Sequence, residues 1–304
     1  MRRPELADLL LLSTVTLWAL NFTVTKYVLS HGFQPIAYSC FRFGGATLVF
    51  AAITLVRERS LRIARSDFVV LGLAAAIGIF LNQLAFTYAI KLTTATTVAL
   101  LFGTLPVLTG IFAFALGIER LSSRFWGAAV LACAGAALVA VGSGGGVSAQ
   151  LWGDLLGVAA SGTWAWYTVS VSPLLRRYST LRLSTVAFAM GTTPLLIVGS
   201  HQIATQDYGV GVTIWLLLAF AIVGPLVVAN LLWFGGISRV GPSRAAVYAN
   251  LQPFLAAVFS VLILSEPLST LQVVGGLAIA AGILLSRTPR MARDVGPAVG
   301  TVQE

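Results

Sequence analysis

Charged residues are scarce in this sequence. Of its 304 residues, 10% are charged and 58% are hydrophobic, and the mean hydropathy is +0.92. Soluble domains carry about 25% charged and about 45–50% apolar residues, so this composition excludes an ordinary soluble protein. The apolar runs are also too long for the strands of a membrane barrel. We therefore predict an all-α integral membrane protein whose helices lie in the lipid bilayer.

Cysteine and histidine are rare as well, with two of each. Cys40 and Cys133 lie inside apolar runs, while His31 and His201 have no partner at metal-ligand spacing. We expect no disulfide framework, no metal site and no cofactor. The chain also lacks a GxxxxGK[ST] loop, an HExxH motif and a Ser/His/Asp set. We therefore expect neither an ATPase nor another enzyme.

Carboxylates are missing from the centres of the apolar runs. Asp8, Asp154, Glu119 and Glu266 all lie near the ends of runs. Proton-driven carriers commonly use a carboxylate buried within the membrane. The absence of one makes tight proton coupling less expected.

Runs long enough to cross a bilayer, about 20 residues, recur along the whole chain. They lie near residues 8–30, 35–56, 68–90, 94–117, 125–142, 152–173, 183–201, 212–236, 246–264 and 271–287. The first run continues past the length of a signal peptide without a small-residue cleavage site, which predicts a retained first span.

Arginine is distributed unevenly between the two sides of the predicted bundle. Lys91 is the only basic residue in the segments of one side, whereas the other side holds the arginines near 2–3, 57–65, 120–124, 176–182, 239–244 and 287–293. This positive-inside pattern predicts that both termini are cytoplasmic. It also accounts for the net charge of +9 without a nucleic-acid partner.

Two segments of the chain repeat each other. Pro106 precedes Glu119 by 13 residues, and Pro253 precedes Glu266 by the same distance, at an offset of 147. Upstream, DLLLLSTVTLWA and DLLGVAASGTWA match at an offset of 146. The chain therefore reads as two five-helix repeats, residues 8–142 and 152–287, followed by a cytoplasmic tail, 288–304. An odd number of spans inverts the second repeat, which is typical of transporters with a site near the midplane.

These motifs resemble the EamA-type family of drug/metabolite transporters. The resemblance rests on LWALNFTVTK, FRF, the proline of the fourth run and IERLS in the first half. In the second half it rests on GTWAWY, AxxxxxQPF and SEPLSTLQVVGGLAIAAG. It implies ten spans as two inverted repeats, with both termini inside, and transport of small metabolites. In bacteria that is often export of amino acids or related compounds.

The repeated glutamates and prolines each allow two interpretations. Glu119 and Glu266 are placed to cap the start of the following helix, or to act in gating or ion coupling. Pro106 and Pro253 each remove a helical hydrogen bond. They are therefore either hinges around a central site or packing features.

Two cations fall within the predicted spans. Lys26 lies near the outer end of the first span, where snorkelling to the interface explains it. Arg42 lies about 10 Å into the second span, and the second repeat has no cation at that place. Its guanidinium either bonds to carbonyl groups at a helix end or binds a substrate carboxylate.

Aromatic and amide residues recur at helical spacing near the span centres. The pairs Trp18 with Asn21 and Trp164 with Tyr167 superimpose by the repeat, as do Gln83 with Phe86 and Asn230 with Trp233. They either pack helices together or line a cavity with apolar walls and few polar groups, as small-molecule sites do. Weaker candidates for the same lining are Phe102 and Tyr248.

We interpret the sequence as a secondary transporter of a bacterial inner membrane. It would export small metabolites, above all amino acids with aromatic or apolar side chains, by alternating access. The alternatives are uptake or exchange of another metabolite, such as a nucleoside, sugar or toxic cation, and a non-transport receptor or scaffold. A scaffold gains nothing from an inverted repeat, which favours transport.

Overall fold

The computed structural model describes residues 6–117, 121, 123–142, 149–240 and 248–286, and the regular structure in these ranges is helical, without strands. The helices are α1 (Leu6–Ser30), α2 (Pro35–Glu58), α3 (Arg65–Leu92), α4 (Ala95–Ala115), α5 (Ser123–Gly142), α6 (Ala149–Val171), α7 (Thr180–Thr205), α8 (212–240), α9 (Gln252–Leu264) and α10 (Thr270–Ser286).

Length and hydropathy make seven of these helical segments suitable for crossing a membrane. They are α1, α2, α3, α4, α5, α7 and the part of α8 from Val212 to Trp233. Large apolar side chains such as Leu48, Val56 and Leu262 are each more than 70% exposed. Water would not tolerate so many exposed apolar groups on helices of this length, but lipid does. The protein is a multi-pass membrane protein.

Local sequence explains where several helices begin and end. Pro35 occupies the first turn of α2, where its missing N–H costs nothing. Thr94 and Ser179 cap α4 and α7, because each side-chain oxygen accepts a backbone N–H three residues on. Arg59 and Ser265 end α2 and α9 in the left-handed conformation.

The helices of the first half pair mainly with helices of the second half. α1 packs on α8 and α9, while α6 packs on α3 and α4. α2 packs on α7, and α5 packs on α10. Each helix of the first half has a counterpart in the second half: α1 corresponds to α6, α2 to α7, and so on to α5 and α10. When every helix is replaced by its counterpart, the same set of pairs results. The pairing therefore follows the sequence repeat.

Glycines allow α5 and α10 to cross with their backbones in contact. A Cβ atom added to Gly135 would lie 2.6 Å from the carbonyl oxygen of Gly275. One added to Gly275 would lie 2.5 Å from the carbonyl oxygen of Gly135. No side chain fits between these two helices at the crossing, and even alanine would displace one of them.

A π-helical segment interrupts both α3 and α8. In α3 it spans Ala76–Leu81, and in α8 it spans Ile222–Val228. At the offset of 146 the two segments begin at equivalent residues. π-Helical turns are rare and occur frequently at functional sites. The sequence repeat did not reveal them.

Candidate functional site

Arg42 of α2 is a buried cation with unused hydrogen-bond donors. Its side chain is only 2% exposed, and its Nε and Nη1 atoms have no hydrogen-bond partner among the described residues. The guanidinium carbon lies 5.2 Å from the ring centre of Tyr38 and 5.9 Å from that of Phe43. Aromatic faces attract a cation, yet they leave its N–H donors unused. A buried charge of this kind calls for an anionic partner.

Asn21 of α1 lies at the same depth as Arg42. The hydroxyl groups of Thr25 and Tyr38 are hydrogen-bonded at 3.1 Å. Because α1 and α2 are joined by a short turn and run in opposite directions, one helical turn from that bond reaches Asn21 on α1 and Arg42 on α2. Asn21 is 8% exposed, and its Oδ1 atom has no partner in the described part of the chain.

Gln83 of α3 is held by a chain of amide hydrogen bonds. Its Nε2 atom donates to Oδ1 of Asn82 at 2.9 Å. The Nδ2 atom of Asn82 donates in turn to the carbonyl oxygen of Ala160 at 2.7 Å and to Oγ1 of Thr163 at 3.1 Å. This network fixes which way the Gln83 amide points. Its Oε1 atom is buried and has no partner among the described residues.

Three phenylalanines from different helices pack edge to face beside these amides. The ring of Phe22 lies 5.4 Å from that of Phe86 and 5.3 Å from that of Phe102, and the last two are 5.9 Å apart. Phe86 and Phe102 were candidates from the sequence. Phe22 was not, because it has no aromatic counterpart in the second repeat. We call these three residues the phenylalanine cluster.

The π-helical segment of α8 receives a tryptophan from α1. Nε1 of Trp18 donates to the carbonyl oxygen of Pro225 at 3.0 Å, and its ring centre lies 5.2 Å from that of Trp233. A π-helical turn frees carbonyl groups from the helix ladder, which makes Pro225 available to Trp18. Asn230, one turn from Trp233, donates its amide to the carbonyl oxygen of Leu226.

The equivalent residues of α6 are arranged differently. The ring of Trp164 lies 5.3 Å from that of Tyr167 in the same helix. A Cβ atom added to Gly78 would lie only 2.1 Å from Cβ of Tyr167. α6 therefore contacts the π-helical segment of α3 through Tyr167. The structure gives Trp18 and Trp164 different aromatic partners.

Tyr248 does not lie at the depth of Arg42 and Asn21. Its hydroxyl group donates to Oδ1 of Asp8, in the first turn of α1. Asp8 is 13 residues from Asn21, which is about 20 Å along a helix. The sequence grouped Tyr248 with the central residues as a weaker candidate for the cavity lining. The side chain instead bonds near the end of the bundle.

Pro106 and Pro253 meet although they belong to different halves. Both line one small cavity of about 30 Å³, together with Phe102 and Asn250. Pro106 lies in the first turn of the helix that follows the 3₁₀ turn Phe102–Thr104, and Pro253 lies in the first turn of α9. At a first turn proline removes no helical hydrogen bond. The expectation of a proline kink inside a continuous helix is therefore wrong for Pro253, whereas Pro106 lies within α4, just after its 3₁₀ turn.

Glu266 caps a helix, but not the one that follows it. Its carboxylate accepts the backbone N–H of Ala95 at 3.0 Å, the backbone N–H of Thr96 at 2.9 Å and the hydroxyl group of Thr96 at 2.8 Å. These groups begin α4, in the other half. Ser269 and Gln272 cap α10 instead, by reciprocal hydrogen bonds at 2.9 and 3.2 Å. Glu119, its counterpart in the repeat, lies outside the described residues.

Lys26 bonds to the end of α3, on the other side of the turn that joins α3 to α4. Its Nζ atom donates to the carbonyl oxygens of Ile90 at 2.9 Å and Thr93 at 2.6 Å, at the end of α3. A cation at a helix C-terminus and an anion at a helix N-terminus both complement the helix dipole. Lys26 and Glu266 thus hold the α3–α4 turn from α1 and from the second half. We call this arrangement the turn clamp.

The comparisons with known proteins agree with a transporter. The model of the EamA-like transporter family matches residues 5–141 and 151–288. The chain is 26% identical to "Uncharacterized transporter YetK" of Bacillus subtilis over 262 residues, 84% of this chain and 79% of that protein. It is 27% identical to the "Probable terminal-alkyne amino-acid exporter" of Streptantibioticus cattleyicolor over 282 residues, 90% of this chain and 91% of that one.

A solved crystal structure has the same fold. It superimposes with a TM-score of 0.63 at 22% sequence identity and covers 92% of this chain and 96% of its own. In the described part of the chain, no group of three or more histidine, cysteine or acidic side chains is placed to hold a metal ion. Two matches to the family model together span nearly all of the sequence. The chain belongs to the EamA-like transporter family.

Proposed function

We propose that this protein exports small metabolites that carry a carboxylate, above all amino acids with aromatic or apolar side chains, across the bacterial inner membrane. The observation that carries the proposal is the buried guanidinium of Arg42, whose Nε and Nη1 donors are unused among the described residues. A carboxylate accepts two such N–H groups side by side. The positive charge at this depth disfavours a cationic toxin as substrate.

The amide groups beside Arg42 complete a site for a zwitterion. The Oδ1 atom of Asn21 and the Oε1 atom of Gln83 are acceptors, which suits a substrate ammonium group. The phenylalanine cluster supplies an apolar surface for the substrate side chain. The proposed walls of the cavity are Trp18, Trp164, Tyr167, Asn230 and Trp233.

The proposed mechanism is alternating access between two inverted repeats, residues 8–142 and 152–287, each with five membrane spans. The exchange of helix pairs between the halves and the two equivalent π-helical segments support it. So do the two separate matches to the family model. Pro106 and Pro253, which meet between the halves, are proposed as hinge positions. The arginine distribution supports both termini, and the tail 288–304, in the cytoplasm.

The similarity to a probable exporter of a terminal-alkyne amino acid supports the substrate class and the direction. The proposal therefore names amino acids as a class, recognised by a carboxylate at Arg42 and an ammonium group at the two amides.

Flux of labelled amino acids in proteoliposomes tests the proposal. Arg42→Lys keeps the charge but loses the paired donors of the guanidinium, so we expect transport to fall about tenfold, the loss of one charge-assisted hydrogen bond. The matched control is Arg239→Lys, an exposed arginine of α8. Unchanged flux in Arg42→Lys, or the same loss for amino-acid amides that lack a carboxylate, would refute the role of Arg42.

Labelling with an impermeant thiol reagent tests the topology, in a background without Cys40 and Cys133. Cysteine at Asp207, an exposed residue between α7 and α8, should react from outside the cell, whereas cysteine at Ser60 should not. The preceding residue, Gln206, is unsuitable for labelling, because it is 5% exposed and accepts the backbone N–H of Gln34. Equal labelling of Asp207→Cys and Ser60→Cys from one side would contradict the inverted repeat.

A further inference from the structure

Asn82 of α3, which the sequence did not single out, lies in a polar contact between the two halves. It is 4% exposed and directly follows the π-helical segment Ala76–Leu81. Its Nδ2 atom donates to two groups of α6, the carbonyl oxygen of Ala160 at 2.7 Å and Oγ1 of Thr163 at 3.1 Å. Its Oδ1 atom accepts Nε2 of Gln83 at 2.9 Å. Both ends of the Asn82 amide are therefore hydrogen-bonded.

The carbonyl oxygen of Ala160 determines which way the Asn82 amide points. A backbone carbonyl group can only accept a hydrogen bond, so the nitrogen of Asn82 must face it. The hydroxyl group of Thr163 is compatible with this orientation, because it donates within α6, to the carbonyl oxygens of Ala159 and Ala160 at 2.9 and 3.0 Å. In the opposite orientation two acceptors, Oδ1 of Asn82 and the Ala160 oxygen, would lie against each other. Oδ1 therefore faces Gln83.

The fixed amide of Asn82 determines in turn which way the Gln83 amide points. Oδ1 of Asn82 needs a donor, so Nε2 of Gln83 faces it and Oε1 lies at the other end of the Gln83 amide. Oε1 is buried and has no partner among the described residues. If the Gln83 amide turned over, its oxygen would lie against Oδ1 of Asn82. Gln83 therefore offers an unused acceptor.

Close packing keeps α3 and α6 in this position. Gly78 lies four residues before Asn82, and Tyr167 lies four residues after Thr163. A Cβ atom added to Gly78 would lie 2.1 Å from Cβ of Tyr167. The two helices thus meet one turn from the amides with no room between them. Ala160 cannot move away from Asn82 unless the helices separate.

The second half has a different arrangement at the equivalent place. At the offset of 147, Gln83 corresponds to Asn230, and Asn82 corresponds to Ala229, whose side chain has no polar atom. The amide of Asn230 donates to the carbonyl oxygen of Leu226 in its own helix. The amide of the first half is therefore oriented by a contact with the other half, whereas that of the second half bonds within α8.

We propose that Asn82 is a positioning residue for substrate specificity. It orients Gln83 so that the site accepts a donor, the substrate ammonium group, and rejects a substrate with an acceptor at the same place. The inference rests on the proposed function, in which the substrate carboxylate binds to Arg42. It adds a residue that acts on the substrate only through Gln83.

The depths of Gln83 and Arg42 suit the two charged groups of an amino acid. Gln83 lies nine residues before the end of α3 at Leu92, and Arg42 lies seven residues after the start of α2 at Pro35. Both are therefore about 10–14 Å from the same end of the bundle. In the described conformation Oε1 of Gln83 is closed to solvent. A substrate reaches it when alternating access opens the bundle.

Competition against labelled phenylalanine in proteoliposomes tests the proposal. Phenylpyruvate keeps the ring and the carboxylate of phenylalanine but has an oxygen atom, an acceptor, in place of the ammonium group. We expect the wild-type protein to prefer phenylalanine. Asn82→Leu, a side chain of similar shape without polar atoms, should lower this preference about tenfold, the effect of one hydrogen bond to a charged group.

The preference is the ratio of two inhibition constants measured on one protein, so loss of folded protein does not change it. Equal inhibition by the two compounds in the wild-type protein would overturn the proposal. So would a preference that is the same in Asn82→Leu as in the wild type.

Thr163→Val is the matched control. It removes one hydrogen bond of the same network but leaves the carbonyl oxygen of Ala160 to orient Asn82. The preference should therefore stay within about twofold of the wild-type value. If Thr163→Val lowers the preference as much as Asn82→Leu does, the orientation of the amide is not the cause and the proposal is refuted.

A double variant tests whether Asn82 acts through Gln83. In a Gln83→Leu background, Asn82→Leu should not change the preference further, because no amide remains to be oriented. A further loss would show that Asn82 affects the substrate by another route, which contradicts a positioning role.

The same assay separates failure of this inference from failure of the proposed function. If phenylalanine is not transported, or if Arg42→Lys transports it normally, the proposed function fails and the inference fails with it. If transport depends on Arg42 but Asn82→Leu still prefers phenylalanine to phenylpyruvate as strongly as the wild type, the positioning role alone is wrong.

Discussion

α2 and α7 pack against each other, yet they place very different groups at equivalent positions. α2 carries Arg42, buried with two unused donors, whereas α7 carries Phe188 at the offset of 146. Phe188 is also buried, and its ring packs on Phe43 at 5.1 Å and on Phe50 at 5.5 Å. The desolvated cation thus destabilises the first half, whereas packed aromatic rings stabilise the second half at the equivalent position.

The backbones of the two halves do not show this difference. Both have a π-helical segment in the third helix, and both have a proline in the cavity where α4 and α9 meet. Symmetry is therefore kept in the helix backbones and at the two prolines. It is broken at Arg42 and Lys26, which have no basic counterparts at the 146 offset. In the proposed function, symmetric structure serves the conformational change and asymmetric charge serves substrate binding.

Making the first half resemble the second should give the largest effect. Arg42→Phe removes both proposed bonds to a substrate carboxylate, so we expect amino-acid flux to fall roughly 100-fold, equivalent to about 3 kcal/mol. Replacing a buried unpaired charge by an apolar ring should not lower the melting temperature. Flux in proteoliposomes and melting in detergent are measured together. A protein that unfolds more easily but transports at a normal rate per folded molecule would show that Arg42 is structural.

The turn clamp joins the halves, so its loss should reduce stability more than transport specificity. Glu266→Ala leaves the N–H groups of Ala95 and Thr96 without their acceptor, which should cost about 3 kcal/mol. The comparison variant is Gln272→Ala, which loses two neutral hydrogen bonds, to Thr97 and to the backbone N–H of Ser269, and should cost about 2 kcal/mol. Denaturant unfolding in detergent measures both. Equal losses would mean that the carboxylate charge contributes nothing to the turn.

Substitutions of Trp18 and Trp164, the two repeated tryptophans, should have smaller effects. They distinguish a role in helix packing from a role in substrate binding. Trp164→Ala should weaken aromatic substrates about threefold to tenfold, because stacking contributes about 0.5–1.5 kcal/mol beyond area burial. Alanine and threonine should be affected less than tryptophan and phenylalanine in competition with a labelled substrate. Trp18→Ala should in addition lower the melting temperature, since it loses the bond to Pro225.

The same losses for all four competitors, in step with melting temperature, would assign both tryptophans to packing. The matched variant Trp18→Phe removes the N–H donor and the fused five-membered ring but keeps an aromatic ring beside Trp233. It should lower stability by about 1 kcal/mol while preserving the preference for aromatic substrates.

The sequence predicted what depends on local pattern. Run length and hydropathy predicted the helices, and the 146–147 offset predicted that prolines and aromatic residues of the two halves are related. Gln83 and Asn21 were recognisable because amide and aromatic residues recur at helical spacing and at the repeat offset. The interior position of Arg42 follows from the cost of a charge within an apolar span.

What the sequence did not reveal depends on contacts between distant residues. Glu266 bonds to Thr96, 170 positions away, and no spacing rule predicts that it prefers α4 to the adjacent α10. The π-helical segments have the same apolar composition as their flanks, so neither propensity nor periodicity marks them. Phe22 was missed because it joins Phe86 and Phe102 only when three helices come together.

The contact between Gly135 and Gly275 fixes the axial register of α5 against α10. If either helix moved by one residue, a residue with a Cβ atom would replace the glycine at the contact. A Cβ atom at that place would lie 2.5–2.6 Å from an opposing carbonyl oxygen, which is too close. Because no side chain takes part, no rotamer freedom is lost on forming the contact, and no rotamer change can relieve a mismatch. α5 and α10 therefore meet in one axial alignment, which sets the position of each half against the other.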